Sequence, residues 1–240
     1  MFARGLLLAA LVTSCGGGPR NTDVQEVQLS PRRMVHRNMR AVYYAALHIE
    51  KAVVDGRLTD ARESAAWIAT HGDQFSPPAE KGDELLQAAD TVAQSRSILE
   101  AAGGLGRLGR ACANCHLASQ ATVDFAFATF HAPVESTELA GQMLRHEWAA
   151  ERLWQGLLAP SDTAWNEGAE LLATTAIDLA ATTNAKPNVE AVELANHLRE
   201  MAASAASADP TQRSIELGTM IVTCARCHDL VRVHPVAGDR

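Results

Sequence analysis

The chain has 240 residues, a net charge of −7, and 47% hydrophobic residues of which few are aromatic. That is enough apolar material for a substantial core, and the acidic balance argues against a nucleic-acid surface. Abundant alanine with few Val, Ile or Thr runs favours helix over sheet.

Residues 1–14 read as an address rather than structure. Met1 to Arg4 is short and positive, and Gly5 to Val12 is apolar but too short to span a bilayer. Val12-Thr13-Ser14-Cys15 resembles the bacterial lipobox, whose cysteine is diacylated and becomes the first residue after cleavage. An ordinary signal peptide cut nearby is the alternative. Residues 15–30, opening Gly16-Gly17-Gly18-Pro19, suit a flexible tether behind a lipid on Cys15.

Four helices are expected next. Ser30-Pro31 offers a cap and a first-turn proline for a helix to about Asp55, closed by Gly56. A second runs from about Thr59 to Thr70, and a third from about Ala79 to Ala101. Gly103-Gly104 is expected to break the chain before a fourth. Three phenylalanines (Phe125, Phe127, Phe130) mark the following segment, expected to pack between domains or against a cofactor. Four more helices are expected over 136–158, 161–182, 187–206 and 209–231, with Pro160, Pro187 and Pro210 at the joins.

The fourth and eighth of these carry Cys112-Ala113-Asn114-Cys115-His116 and Cys224-Ala225-Arg226-Cys227-His228. Both are Cys-x-x-Cys-His, the attachment pattern of haem c. Two thiols one helical turn apart can add to the two vinyl groups of one porphyrin, and the next histidine lies under the iron. Cys112, Cys115, Cys224 and Cys227 would hold two haems, with His116 and His228 as proximal ligands. With Cys15 lipidated, no cysteine remains for a disulfide. A four-cysteine zinc site is the rival, and it leaves both histidines unexplained.

The motifs lie 112 positions apart (Cys112 to Cys224). Upstream the offset is 104, pairing Met39 with Met143, Tyr44 with Trp148, and Ala45-Ala46 with Ala149-Ala150. The second copy therefore holds about 8 extra residues between its second and fourth helices.

Helices ending in the haem pentapeptide resemble cytochrome c′, over residues 31–118 and 136–235. The resemblance implies an all-α fold of two tandem four-helix bundles, 31–120 and 136–240, joined by a linker at 121–135. Cys227-His228-Asp229-Leu230-Val231-Arg232 matches the family's post-motif arginine, where the first copy has Gln120. Neither copy has the Trp- and Phe-rich segment often found between the second and third helices of this family. In the family a first-helix residue faces the distal side of the haem. This makes Met39 and Met143 the candidate distal iron ligands, with core methionines as the alternative. His36 and His146, three residues from each methionine, could displace them and give bis-histidine iron; otherwise an iron is open.

The function expected is a diheme cytochrome carrying single electrons between redox partner proteins. It would be lipid-anchored in a bacterial envelope, on the periplasmic or outer-membrane side, with no nucleic acid bound and no enzyme activity. A homodimer, or pairing of the two bundles within the chain, is possible. The alternative is a gas-binding protein for nitric oxide or carbon monoxide, with at least one five-coordinate haem.

Overall fold

The computed structural model describes residues 31–71, 79–121, 123, 131–179 and 188–231, the side chains of 31–37 and 79–81 excepted. Cys15, the three phenylalanines and Arg232 lie outside the described residues. The fold is all-α. Eight helices and no strand occur among the described residues: α1 (Pro31–Val54), α2 (Leu58–His71), α3 (Ala79–Ala93), α4 (Ile98–Ser119), α5 (Leu139–Leu158), α6 (Asp162–Thr174), α7 (Val189–Ala205) and α8 (Arg213–Val231).

The third and fourth helices differ from expectation. α3 ends at Ala93, and α4 begins well before Gly103-Gly104, which sit inside it. Ser97 caps α4 by accepting from the Glu100 amide (3.2 Å), and Glu100 accepts from the Arg96 amide (2.7 Å). This Ser-x-x-Glu box supplies two partners for amides that would otherwise lack them. The glycines serve close approach instead of chain reversal. A methyl on Gly104 would lie 2.7 Å from Val92 Cγ2, and one on Gly109 would lie 2.8 Å from Trp154 Cζ3.

α6 is also shorter than expected and ends at Thr174. Thr174 and Thr175 turn their hydroxyls back onto the Glu170 and Leu171 carbonyls, at 2.8 and 2.7 Å. Such bonds compete with continued helix. The Gln142 side chain then accepts from the Asp178 amide (2.8 Å) and holds the chain extended against α5. Much of the extra length of the second copy falls here, between α6 and α7.

All eight helices contribute to one buried cluster, from Val42, Ile49 and Leu105 to Leu153, Trp154, Leu217 and Ile221. Helices α1 to α4 pack in sequence, as do α5 to α8, and the two sets join through their first and last helices. α4 lies against α8, α1 against both α4 and α8, and α5 against both of these.

The α4–α8 contact is antiparallel and nearly symmetric. Gly106 lies against the Ser214 carbonyl, while a methyl on Gly218 would be 3.4 Å from the Ala102 carbonyl. These four residues are two pairs related by the repeat offset of 112. α1 and α5 oppose each other in the same sense. Lys51 pairs with Glu147 (3.3 Å), and the Tyr43 phenol faces Glu151 and Gln155. A pseudo-twofold axis therefore runs through both crossings. Its driving force is burial of the small-residue faces of α4 and α8, which allows backbone to approach backbone.

Candidate functional site

Each Cys-x-x-Cys-His pentapeptide occupies the last two turns described for its helix, α4 or α8. Helical spacing therefore sets the two sulfurs one turn apart on one face, with the histidine next to the second. Both pairs are unbridged thiols. Cys112 and Cys224 press on the main core, and burial pushes both thiols up to about 12, helped by Cys115 and Cys227 respectively. Cys227 lies in a second apolar cluster with Leu179, Ala191 and Leu194, flanked by Leu139 and Leu230. Apolar walls beside paired neutral thiols suit a porphyrin.

His116 is oriented from the other half of the chain. Its Nδ1 lies 2.7 Å from the Leu158 carbonyl at the end of α5. With a proton on Nδ1 donated to that oxygen, Nε2 is free to bind a metal, the arrangement typical of ligating histidines. Burial lowers the histidine's pKa, against the opposing pull of that carbonyl. A neutral ring is the form that binds a metal. The donor set thus fits covalent haem: two thiols not bridged by a disulfide, a carbonyl-oriented imidazole and, behind Cys112, the apolar core.

The antiparallel crossing sends the two motifs to opposite ends of the α4–α8 pair. From a crossing near residues 104 and 216, at about 1.5 Å rise per residue, the two motifs lie on the order of 30 Å apart. A zinc ion shared by both cysteine pairs is therefore ruled out. No group of three or more His, Cys, Asp or Glu able to hold a metal occurs among the described residues.

The structure adds a pair of contacts that the sequence reading missed. Asn114, the second intervening residue of the first motif, donates to Glu84 on α3 (3.2 Å). Arg226, its repeat partner, donates to Glu190 on α7 (3.1 Å). Each motif is thus tied to an acid near the start of its own third helix. Arg226 and Glu190 are well exposed, so the contact aligns helices more than it stabilises them. Arg226 and Glu190 also line an open cleft of about 570 Å³ with Glu193, Leu194 and His197.

Met39 is on α1, half-buried against the main core, and Met143 is half-buried on α5. His146, one turn beyond Met143, is within electrostatic reach of His228, so the start of α5 and the end of α8 share a neighbourhood. The His146 ring lies 3.3 Å from the Thr175 carbonyl through Nε2. Binding iron through that nitrogen requires giving up this contact. The side chain of His36 lies outside the described residues. Tyr44 is exposed, whereas its repeat partner Trp148 is half-buried beneath the Arg152 guanidinium, 5.7 Å from the ring centre.

Three further histidines lie outside the two motifs and away from Met39 and Met143 in sequence. His48 contacts Ser64 Oγ (2.7 Å), His71 stacks on Trp67 (4.9 Å between ring centres), and His131 is exposed. Gln120 ends α4 in a left-handed conformation (φ 50°), its amide donating to the His116 and Leu117 carbonyls.

Under the pseudo-twofold, the two motif helices have unlike neighbours. α4 meets Trp154 of α5 at Gly109, one turn before Cys112. The repeat partner of Trp154 is Glu50 of α1, and that of Gly109 is Ile221, one turn before Cys224. Trp154 is fully buried, and Glu50 is 8% exposed. Comparison with family models, curated proteins and solved structures finds no match for this chain.

Proposed function

We propose that the chain is a diheme c-type cytochrome that carries single electrons between redox partner proteins. In this reading residues 31–120 and 136–240 are tandem cytochrome c′-like halves, and Cys15 carries a lipid that anchors them to a bacterial envelope membrane. The observation that carries it is the pair of unbridged cysteine motifs, one turn apart on α4 and α8, with His116 oriented through Nδ1 by the Leu158 carbonyl.

The bound haems would supply reversible one-electron chemistry. The residues of the chain perform the rest. Cys112 and Cys115, and Cys224 and Cys227, anchor the two groups, while His116 and His228 present ring nitrogens. The Leu158 carbonyl fixes the His116 tautomer. The main core excludes water behind Cys112 and Cys224, and Leu179, Ala191 and Leu194 do so beside Cys227. Met39 and Met143 are the proposed distal ligands; a thioether there raises the potential and leaves no site for substrate.

The test is an optical spectrum of the purified holoprotein, oxidised and reduced, before and after carbon monoxide, with an intact mass. The expected result is two covalent haems with low-spin bands unmoved by the gas. A carbon monoxide shift in half or all of the haem would overturn filled distal sites and favour gas binding. Protein carrying no covalent haem would overturn the reading altogether.

A further inference from the structure

The two halves are built to one plan, yet one buried position differs in kind: Trp154 beside the first motif helix and Glu50 beside the second. Glu50 lies on α1, which packs on α8, and its charge acts on Cys224. The charged and titratable groups acting on it are Lys51 on its own helix and Glu147 and Glu151 on α5. Tyr43 is also in electrostatic reach. Among the described residues neither α2 nor α4 contributes a charged group that acts on it. Lys51 does not neutralise it, because the Lys51 ammonium pairs with Glu147 at 3.3 Å. Both members of that pair are largely exposed, so water reaches the edge of the cluster.

Resting on the diheme reading above, we propose that Glu50 separates the potentials of the two haems and takes up a proton when the haem held by Cys224 and Cys227 is reduced. One electron from a donor protein converts ferric to ferrous iron, and one proton from solvent converts the Glu50 carboxylate to the carboxyl. Oxidation by the acceptor protein releases both. The physical cause is reciprocal. A ferric centre, one charge more positive, favours the carboxylate, and the carboxylate in turn holds the ferric state. The haem held by Cys112 and Cys115 has the uncharged Trp154 at the matching place and lacks this linkage.

Burial together with Glu151 and Glu147 already raises Glu50 to about 8, which places its titration near neutral pH. The potential of the linked haem is then highest at low pH and falls as pH rises through the Glu50 titration. It levels off once the carboxyl is ionised in both oxidation states. A tenfold difference in Glu50 acidity between those states is worth about 59 mV for one electron.

The experiment is a spectroelectrochemical titration of the holoprotein from about pH 5 to about pH 10. The expected result is two midpoints, one of them falling with pH and the other flat. Glu50→Gln should abolish the fall and raise the affected midpoint at high pH. Glu151→Gln, which removes one negative neighbour, should leave the fall in place but move it to lower pH. In wild-type protein a protonated-carboxyl C=O band should appear in the infrared difference spectrum on reduction. Two pH-flat midpoints, or a fall unchanged by Glu50→Gln, would overturn this inference and leave the diheme reading intact. Protein without covalent haem would overturn both.

Discussion

Two glycines three residues apart on α4 should respond to the same substitution with opposite sign. At Gly103 a methyl group has only the tip of Arg107 nearby, at 3.9 Å. Gly103→Ala therefore gains helix propensity at no steric cost, about 0.8–1 kcal/mol. At Gly106 the methyl would run into the Ser214 carbonyl, a backbone atom that cannot rotate aside. α4 and α8 would have to separate, at about 1–3 kcal/mol for overpacking, so the net effect is about 1 kcal/mol destabilising. Gly218→Ala, with the Ala102 carbonyl at an ordinary 3.4 Å, should be neutral or mildly stabilising. Urea unfolding of the purified protein followed by far-ultraviolet circular dichroism measures all three, provided m stays constant. Gly106→Ala as stable as wild type, or Gly103→Ala less stable, would refute the proposed role of the α4–α8 crossing.

Other substitutions probe single contacts. The Trp165 indole donates to the Ala205 carbonyl (2.7 Å) from full burial; Trp165→Phe should cost about 1–3 kcal/mol in the same assay, because the acceptor loses its partner. Gln120→Gly relieves a left-handed residue at the end of α4 and should stabilise by about 1 kcal/mol. Glu50 has a raised pKa in the folded protein, so its stabilising contribution is complete below its unfolded pKa and is lost as pH rises to about 8. The slope reaches at most about 1.4 kcal/mol per pH unit. Stability measured across that window should flatten in Glu50→Gln, and an unchanged slope would show that Glu50 does not carry it.

The all-α class and the eight helices of the described residues were legible in the sequence, because they follow from alanine content, caps and turn residues. The start of α4 at Ile98 departs from the sequence expectation. Gly103-Gly104 is a strong local signal for a break, and it was outweighed by the Ser97 and Glu100 cap and by helices packed closely enough to need glycine. The repeat offsets paired Met39 with Met143 and also paired Glu50 with Trp154. Nothing local revealed that the second pair is buried, since that depends on α1 lying against α8 across the chain. The carbonyl partner of His116 was invisible for the same reason: Leu158 belongs to the other copy and reaches the histidine only through the fold. The end of α6 turned on side-chain back-bonding at Thr174 and Thr175, which competes closely with helix and leaves little trace in a pattern.

The pseudo-twofold has a consequence for divergence. Two separate copies of one half, associating through the same crossings, would present identical residues to both motif helices. Any change would then be made twice, once on each side of the axis. Joining the halves in one chain removes that constraint. Glu50 can stand where the other side has Trp154, and Gly106 can press on backbone where Gly218 has ordinary space. The shared interface keeps the architecture symmetric, and the single chain lets the chemistry on its two sides evolve independently.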